Sequence, residues 1–327
     1  MMKVAIINCY YGTFPAYYQL WLDSCKCNEK FDFFVFTDAL VDDYCIPHNV
    51  HIVNMKWNNL IDLIQSKFDF QLQIESPYKL TDFKVAYGYI FSEYLKDYDY
   101  WGYCDVDLLF GNLSKFLFPL MEQGYEKIYR LGHLTLLKNN NKLTLLFMAS
   151  GSPFSYKEVF SNKQFYSFDE HAGLMSISRT NGIKEYYKEE MADISCRVSR
   201  LTVSRNENYQ NQVFFYENGA VYRAYLDAKS IVETDEFVYI HLQKRKMDTM
   251  PSTHSFYILS HDFVDKNEIG SPKADTIVQM SGNISRQDEK KERYSFYFQK
   301  LRQFLRASFK EKQIWIKQKF AEKTFIE

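Results

Sequence analysis

Asp105 and Asp107, two aspartates separated by one valine, are the residues of this chain best suited by type and spacing to do chemistry. They follow Tyr100-Trp101-Gly102-Tyr103-Cys104, an aromatic run that reads as a buried strand. In extended chain, residues two apart point to the same side, so both carboxylates can face one cation. Mg²⁺ and Mn²⁺ prefer oxygen ligands and keep part of their coordination for phosphate oxygens. A cation held this way would offset the charge that builds on a departing diphosphate. An Asp-x-Asp pair also occurs in solvated turns. The core strand before it favours the chemical reading, because a turn after such a strand needs no two acids on one side. The chain has no GxxxxGKS/T phosphate loop, no GxGxxG fingerprint, no GxSxG elbow and no HExxH helix.

The elements that must position the pair are legible as an alternation. Val4 to Asn8, Phe31 to Phe36 and Val50 to Met55 read as strands. Tyr17 to Cys25 and Trp57 to Phe68 read as helical. Thr81 to Asp97 carries Phe83, Tyr87, Ile90, Phe91, Tyr94 and Leu95 at helical spacing, which predicts one continuous helix capped by Thr81. Further strands and a short helix are expected between Ile128 and Gly151. Strands are also expected at Leu174 to Ser178, Val213 to Tyr225 and Phe237 to Leu242. Strands alternating with helices imply an α/β fold with a mostly parallel sheet covered on both faces. In such sheets ligands bind beyond the carboxyl ends of the strands, where Asp105 and Asp107 stand.

Composition sets the limits. The 327 residues suffice for one large α/β domain with appendages, and 46% hydrophobic residues suffice for its core. The aromatic share of 18% is high; exposed aromatics suit stacking on sugars or bases, but most are expected in the core. A net charge of -1 gives no case for a nucleic-acid partner. The six cysteines show no CxxC pair, and several sit in apolar runs, which fits free thiols in a reducing cytosol. The triplets Asn112-Leu113-Ser114 and Asn283-Ile284-Ser285 match a glycosylation pattern that carries no meaning there. The N-terminus reads as a strand, not a signal peptide, and no run approaches the length of a membrane span. A cytoplasmic protein is therefore expected. Residues 1–280 are expected to form the main domain, and 281–327 a linker and a helical tail, with one helix from about Arg293 to Lys319. From Lys290 onward, eleven Lys or Arg residues face only four Glu, and they alternate with Phe296, Phe298, Leu301, Phe304, Leu305, Phe309, Ile314 and Trp315. Basic amphipathic helices of this kind bind membrane surfaces, although packing on the main domain or on another subunit would use the same pattern.

Four blocks together carry a resemblance: Ile6-Ile7-Asn8-Cys9-Tyr10-Tyr11-Gly12, Pro77-Tyr78-Lys79-Leu80-Thr81-Asp82-Phe83-Lys84-Val85-Ala86-Tyr87-Gly88, Trp101-Gly102-Tyr103-Cys104-Asp105-Val106-Asp107-Leu108-Leu109-Phe110-Gly111, and Gly132-His133-Leu134-Thr135-Leu136-Leu137-Lys138-Asn139. In these blocks the chain resembles a family of bacterial polysaccharide-biosynthesis proteins, a domain of unknown function regarded as GT-A-like glycosyltransferases. The resemblance spans roughly residues 1–245 and leaves the tail unexplained. It implies a Rossmann-type GT-A fold, a nucleotide-sugar donor (a UDP-sugar being the common one), an Mn²⁺ or Mg²⁺ cofactor, and a saccharide or lipid-linked acceptor.

The resemblance also implies roles for individual residues. GT-A enzymes often take a third metal ligand from a late His after a strand, which points to His241 beside Asp105 and Asp107; the glycine-containing pattern of some such families is missing here. Lys244, with Arg245 and Lys246 beside it, can neutralise diphosphate oxygens. Tyr10 and Tyr11 can stack on the base, and Asp38 can bind base or ribose. Lys84 can reach a phosphate or sugar hydroxyl, and Asp82 can hydrogen-bond the donor or simply support its helix dipole. His133 can contact donor or acceptor, or serve a structural role. Glu170 or Asp169 can act as base for an inverting transfer; on a strand the two would face opposite ways, and Glu170 is preferred. Two other readings use the same residues: a non-catalytic nucleotide-sugar-binding protein, and a nucleotidyltransferase, against which the lack of a Gly-rich phosphate loop counts.

Overall fold

The computed structural model describes residues 2–282 and 286–323; the Asn283-Ile284-Ser285 triplet lies outside them. Along the chain the strands are β1 (Val4–Cys9), β2 (Phe31–Thr37), β3 (Val50–Asn54), β4 (Tyr100–Cys104), β5 (Leu108–Phe110), β6 (Lys127–Leu131), β7 (Leu134–Lys138) and β8 (Glu185–Tyr186). They continue as β9 (Ala192–Asp193), β10 (Gln212–Glu217), β11 (Ala220–Leu226), β12 (Val232–Phe237), β13 (Tyr239–His241), β14 (Ser255–Ile258) and β15 (Phe263–Asp265).

The main sheet has the order β3-β2-β1-β4-β7-β6-β8. Its pairings are parallel except at β4–β7 and β6–β7, so the sheet is mixed and mostly parallel. Strand β1 shows why both faces are covered. Ala5 and Ile7 pack into one core with the turns of residues 77–94, whereas Val4 and Ile6 pack into another with the helix Tyr18–Lys26. A strand buried on both faces needs the unbroken apolar run that β1 has. The chain leaves β1 toward β2 and β3 on one side and returns at β4 on the other. The carboxyl ends of β1 and β4 therefore form a topological switch point, where open α/β sheets place ligands. Asn8 ties these ends together by donating 2.7 Å to the Cys104 carbonyl.

Two smaller sheets complete the body. An antiparallel sheet, β12-β11-β10-β14-β15, comes from the region where the sequence signalled strands near the end of the fold. A short ribbon, β5-β13-β9, shares one core with it that includes Leu109, Ile240, Phe214 and Val221, and another with the main sheet through Leu108, Phe110 and Tyr239.

Three expectations change. The predicted helix from Thr81 is a chain of short helical turns, Pro77–Lys79, Leu80–Phe83, Lys84–Ala86, Tyr87–Ile90 and Ser92–Tyr94. This segment is buried nearly all round, charged Asp82 and Lys84 included, so no single apolar stripe governs its winding. Thr81 does not cap it; its hydroxyl donates to the Tyr78 carbonyl at 2.6 Å. The predicted strand Leu174 to Ser178 is helical, because a short apolar run suits a buried helix as well as a strand. The single tail helix is two, Arg286–Arg306 and Phe309–Lys323. Among the described residues no helix is long and apolar enough to cross a membrane. Asn112 of the first glycosylation-like triplet caps the helix Leu113–Glu122, accepting from the Lys115 amide.

Candidate functional site

The turn after β4 sends Val106 into the core and leaves Asp105 and Asp107 facing one cavity of about 550 Å³, as their spacing implies. Asp107 is 2% exposed and sits one residue before β5. The ribbon register sets its neighbours: His241 on β13 pairs with Leu108 on one side and Asp193 of β9 on the other. His241 Nδ1 donates to Asp193 Oδ1 at 2.9 Å, which turns Nε2 toward Asp107 Oδ2 at 3.5 Å. The second Asp107 oxygen, Oδ1, is buried with no hydrogen-bond partner among the described residues. The same holds for Nε2 of His133, whose ring stacks on His241 at 4.4 Å and whose Nδ1 meets the Tyr239 hydroxyl at 2.7 Å.

Among the described residues, two groups could hold a metal ion: Asp105, Asp107 and His241, and also His133, Asp193 and His241, with the donor atoms of each lying within 4.8 Å of one another. The orphaned Asp107 oxygen fits such a role, because a buried carboxylate oxygen left without a donor is costly unless something binds it. The set is carboxylate and imidazole without thiolate, which suits a hard or borderline divalent ion. Asp193 orients His241 through its far nitrogen, as carboxylates do behind metal-bound imidazoles.

The electrostatics depend on burial. Burial opposes a charge on His241, but Asp107 and Asp193 outweigh it and hold the imidazole up at about 10. Asp107 is lowered to about 2 despite its burial, chiefly by His241. Burial and the neighbouring His241 charge push His133 well down, so it is neutral. Lys84 is buried, donates 2.6 Å to Asp105 Oδ1 and 2.9 Å to the Gly132 carbonyl, and lies 3.7 Å from Asp169. Although burial opposes its charge, the two aspartates raise its pKa, so the ammonium persists.

Asp169 and Glu170 both line the cavity, contrary to the strand expectation, because they occupy a turn leading into a kinked helical segment. Gly173 permits the kink: a side chain there would stand 1.8 Å from the Phe168 carbonyl oxygen. Gly132 admits Asp169, whose Oδ2 lies 2.1 Å from where a Cβ would sit. Burial raises both acids, and the Glu170 carboxylate meets the Gly132 amide at 3.4 Å.

Tyr10 and Tyr11 line an adjoining cavity of about 230 Å³ together with Asn8, Lys84, Asp105, Asp107 and Lys244. Lys244 is exposed, and its amide donates to Asp107 Oδ2 at 2.7 Å. Gln243 and Lys244 both have left-handed backbones, with φ of 56° and 53°, a conformation glycine would adopt without strain. Two strained residues therefore stand next to the site.

Two predicted residues are elsewhere. Asp82 is fully buried, pairs with Lys79 at 2.8 Å and accepts from the amides of Tyr166 and Phe168, so its oxygens are spent inside the protein. Asp38 is exposed, lines neither cavity, and accepts from the Trp57 amide at the start of the helix Trp57–Ser66. Sequence reasoning missed Asp193, Gln243, Arg205 and Tyr78, all on the cavity wall. For Asp193 the signal was a single acid inside Met191-Ala192-Asp193-Ile194, too slight to use.

Residues 6–267 match a family described as a family of unknown function, DUF6625. The chain belongs to this family. The matched residues contain both cavities and all of the ribbon, and end before the two tail helices. No curated protein matches the chain.

Proposed function

We propose that this DUF6625 protein is a metal-dependent glycosyltransferase of the GT-A type. It would move a sugar from a nucleotide donor, with a UDP-sugar expected, to a glycan or lipid-linked acceptor in bacterial surface polysaccharide synthesis. The observation that carries this reading is the convergence of Asp105, Asp107 and His241 at the switch point of a mostly parallel sheet, with a buried Asp107 oxygen that has no hydrogen-bond partner among the described residues. Mn²⁺ or Mg²⁺ held there would supply positive charge to the leaving diphosphate.

The chain's own residues supply the rest. Lys84 keeps its charge between Asp105 and Asp169, and Lys244 reaches the same wall, so two cations stand where diphosphate charge would develop. Tyr10 and Tyr11 give the adjoining cavity aromatic faces for a nucleobase. Glu170 lines the larger cavity next to Asp169. Burial raises its proton affinity, so its ionised form is a stronger base for an acceptor hydroxyl than an ordinary carboxylate. Purified protein with Mn²⁺ and a panel of nucleotide sugars tests the reading by nucleoside diphosphate release. Release that disappears in Asp105→Ala and Asp107→Ala is expected. Binding without release would favour a non-catalytic binder, and neither binding nor release would end the proposal.

A further inference from the structure

The tail helices turn apolar stripes toward solvent. In Arg286–Arg306, Tyr294, Tyr297, Phe298, Leu301 and Leu305 recur at i, i+3, i+4, i+7 and i+11, the spacing of one helix face. All five are exposed, from 51% for Tyr297 to 73% for Tyr294. In Phe309–Lys323, Phe309, Ile316 and Phe320 repeat at i, i+7 and i+11 and are likewise exposed. An amphipathic helix on a protein surface normally turns such a stripe inward. Here other residues dock the helices. Glu289 pairs with Arg200 at 2.6 Å, and Glu292 accepts from the Ser199 amide and hydroxyl. Ile314 is buried in the main core and Ala321 packs against it, on the side of the second helix opposite Phe309. The tail is therefore fixed to the body with its aromatic stripes facing outward.

Charge indicates what covers them. Residues 286–323 hold twelve Lys or Arg and five Asp or Glu, a net +7, whereas residues 1–285 carry -7. On the first helix, Lys291 and Arg302 flank the stripe on one side, Arg293 and Lys300 on the other. Long cationic stems beside an aromatic stripe can lie along apolar surface while their heads reach anionic groups. A second copy of the tail would bring +7 against +7.

We propose that the two tail helices form a docking surface for an anionic lipid bilayer, lying flat with the stripe at the acyl boundary and the Lys and Arg heads at the phosphates. The second helix packs against the turn His171–Met175, beside the wall formed by Asp169 and Glu170. The first helix lines a third cavity, of about 420 Å³, that shares Gln243 with the candidate site. Docking thus places the lipid surface against the same two helices that border the candidate site. The docking itself does not depend on the transferase reading.

Flotation of the full chain with vesicles of phosphatidylcholine alone, or with added phosphatidylglycerol, tests this without donor or metal. Binding to the anionic vesicles only, weakened by salt, is expected. Lys300→Glu with Arg302→Glu, and separately Leu301→Asp with Leu305→Asp, should each cut partitioning by roughly tenfold or more. These positions are exposed, so unchanged circular dichroism and melting temperature are expected alongside. Three outcomes overturn the proposal: equal partitioning into both vesicle types, unchanged partitioning of both variants, or vesicle-independent dimerisation or oligonucleotide binding that the variants abolish while the wild type ignores lipid.

Discussion

Replacing Asp107 by Asn should flatten the pH dependence of stability in the metal-free protein. The amide keeps the side-chain volume and an oxygen for the Lys244 N–H, but removes the charge 3.5 Å from His241 Nε2. Two unit charges at that distance interact by about 5 kcal/mol at an effective dielectric constant of about 20. The raised imidazole, held up by Asp107 and Asp193 together against burial, gives a similar figure for the whole cluster. Its step from 6.5 to about 10 corresponds to about 5 kcal/mol at about 1.36 kcal/mol per tenfold in proton affinity. Because the folded protein binds this proton more tightly than the unfolded chain, the stabilisation is complete below pH 6.5 and disappears as pH rises through about 10. Urea unfolding in EDTA, followed by tryptophan fluorescence from pH 6 to 10, should show wild-type stability falling by up to about 5 kcal/mol more than that of Asp107→Asn. The comparison cancels titrations common to both proteins. Parallel curves for the two would refute the assignment of His241, Asp107 and Asp193 as one charged cluster.

Other perturbations separate structure from chemistry. Asp82→Ala strands the buried Lys79 ammonium and should cost about 3–5 kcal/mol in urea unfolding, whereas a donor-binding role would leave stability unchanged and weaken only ligand affinity. Gly132→Ala places a methyl against Asp169; the folded protein should lose about 1–3 kcal/mol of stability and most nucleoside diphosphate release, and wild-type values for both would contradict the close approach. Lys244→Gly should gain about 1 kcal/mol by relieving a left-handed non-glycine residue while losing affinity for a nucleoside diphosphate, two opposite changes that a denaturation curve and a titration read separately. Saturating Mn²⁺ should raise the melting temperature more at pH 8 than at pH 6, because a metal competes with the proton on His241; equal shifts would argue against His241 as a ligand.

Much of this was readable from the chain alone, because it depends on neighbours in sequence. An apolar run followed by two acids two apart already implies a strand end with both carboxylates on one side, and Val106 enters the core between them. The alternation of strands and helices implies the mixed, mostly parallel sheet, and the charge of the tail sets it apart from the body. Tertiary structure decided the rest. Asp193 and His241 become partners only because β9 pairs with β13, across 48 residues, and Lys244 meets Asp107 across 137. Asp82, attractive at the start of a predicted helix, proved to be a buried partner of Lys79, a distinction that propensity cannot draw. Asp169 and Glu170 both reach the cavity because Gly173 kinks the segment after them and Gly132 leaves room for one of them. Local periodicity is written in consecutive residues, whereas burial and strand register depend on chain brought together from far apart.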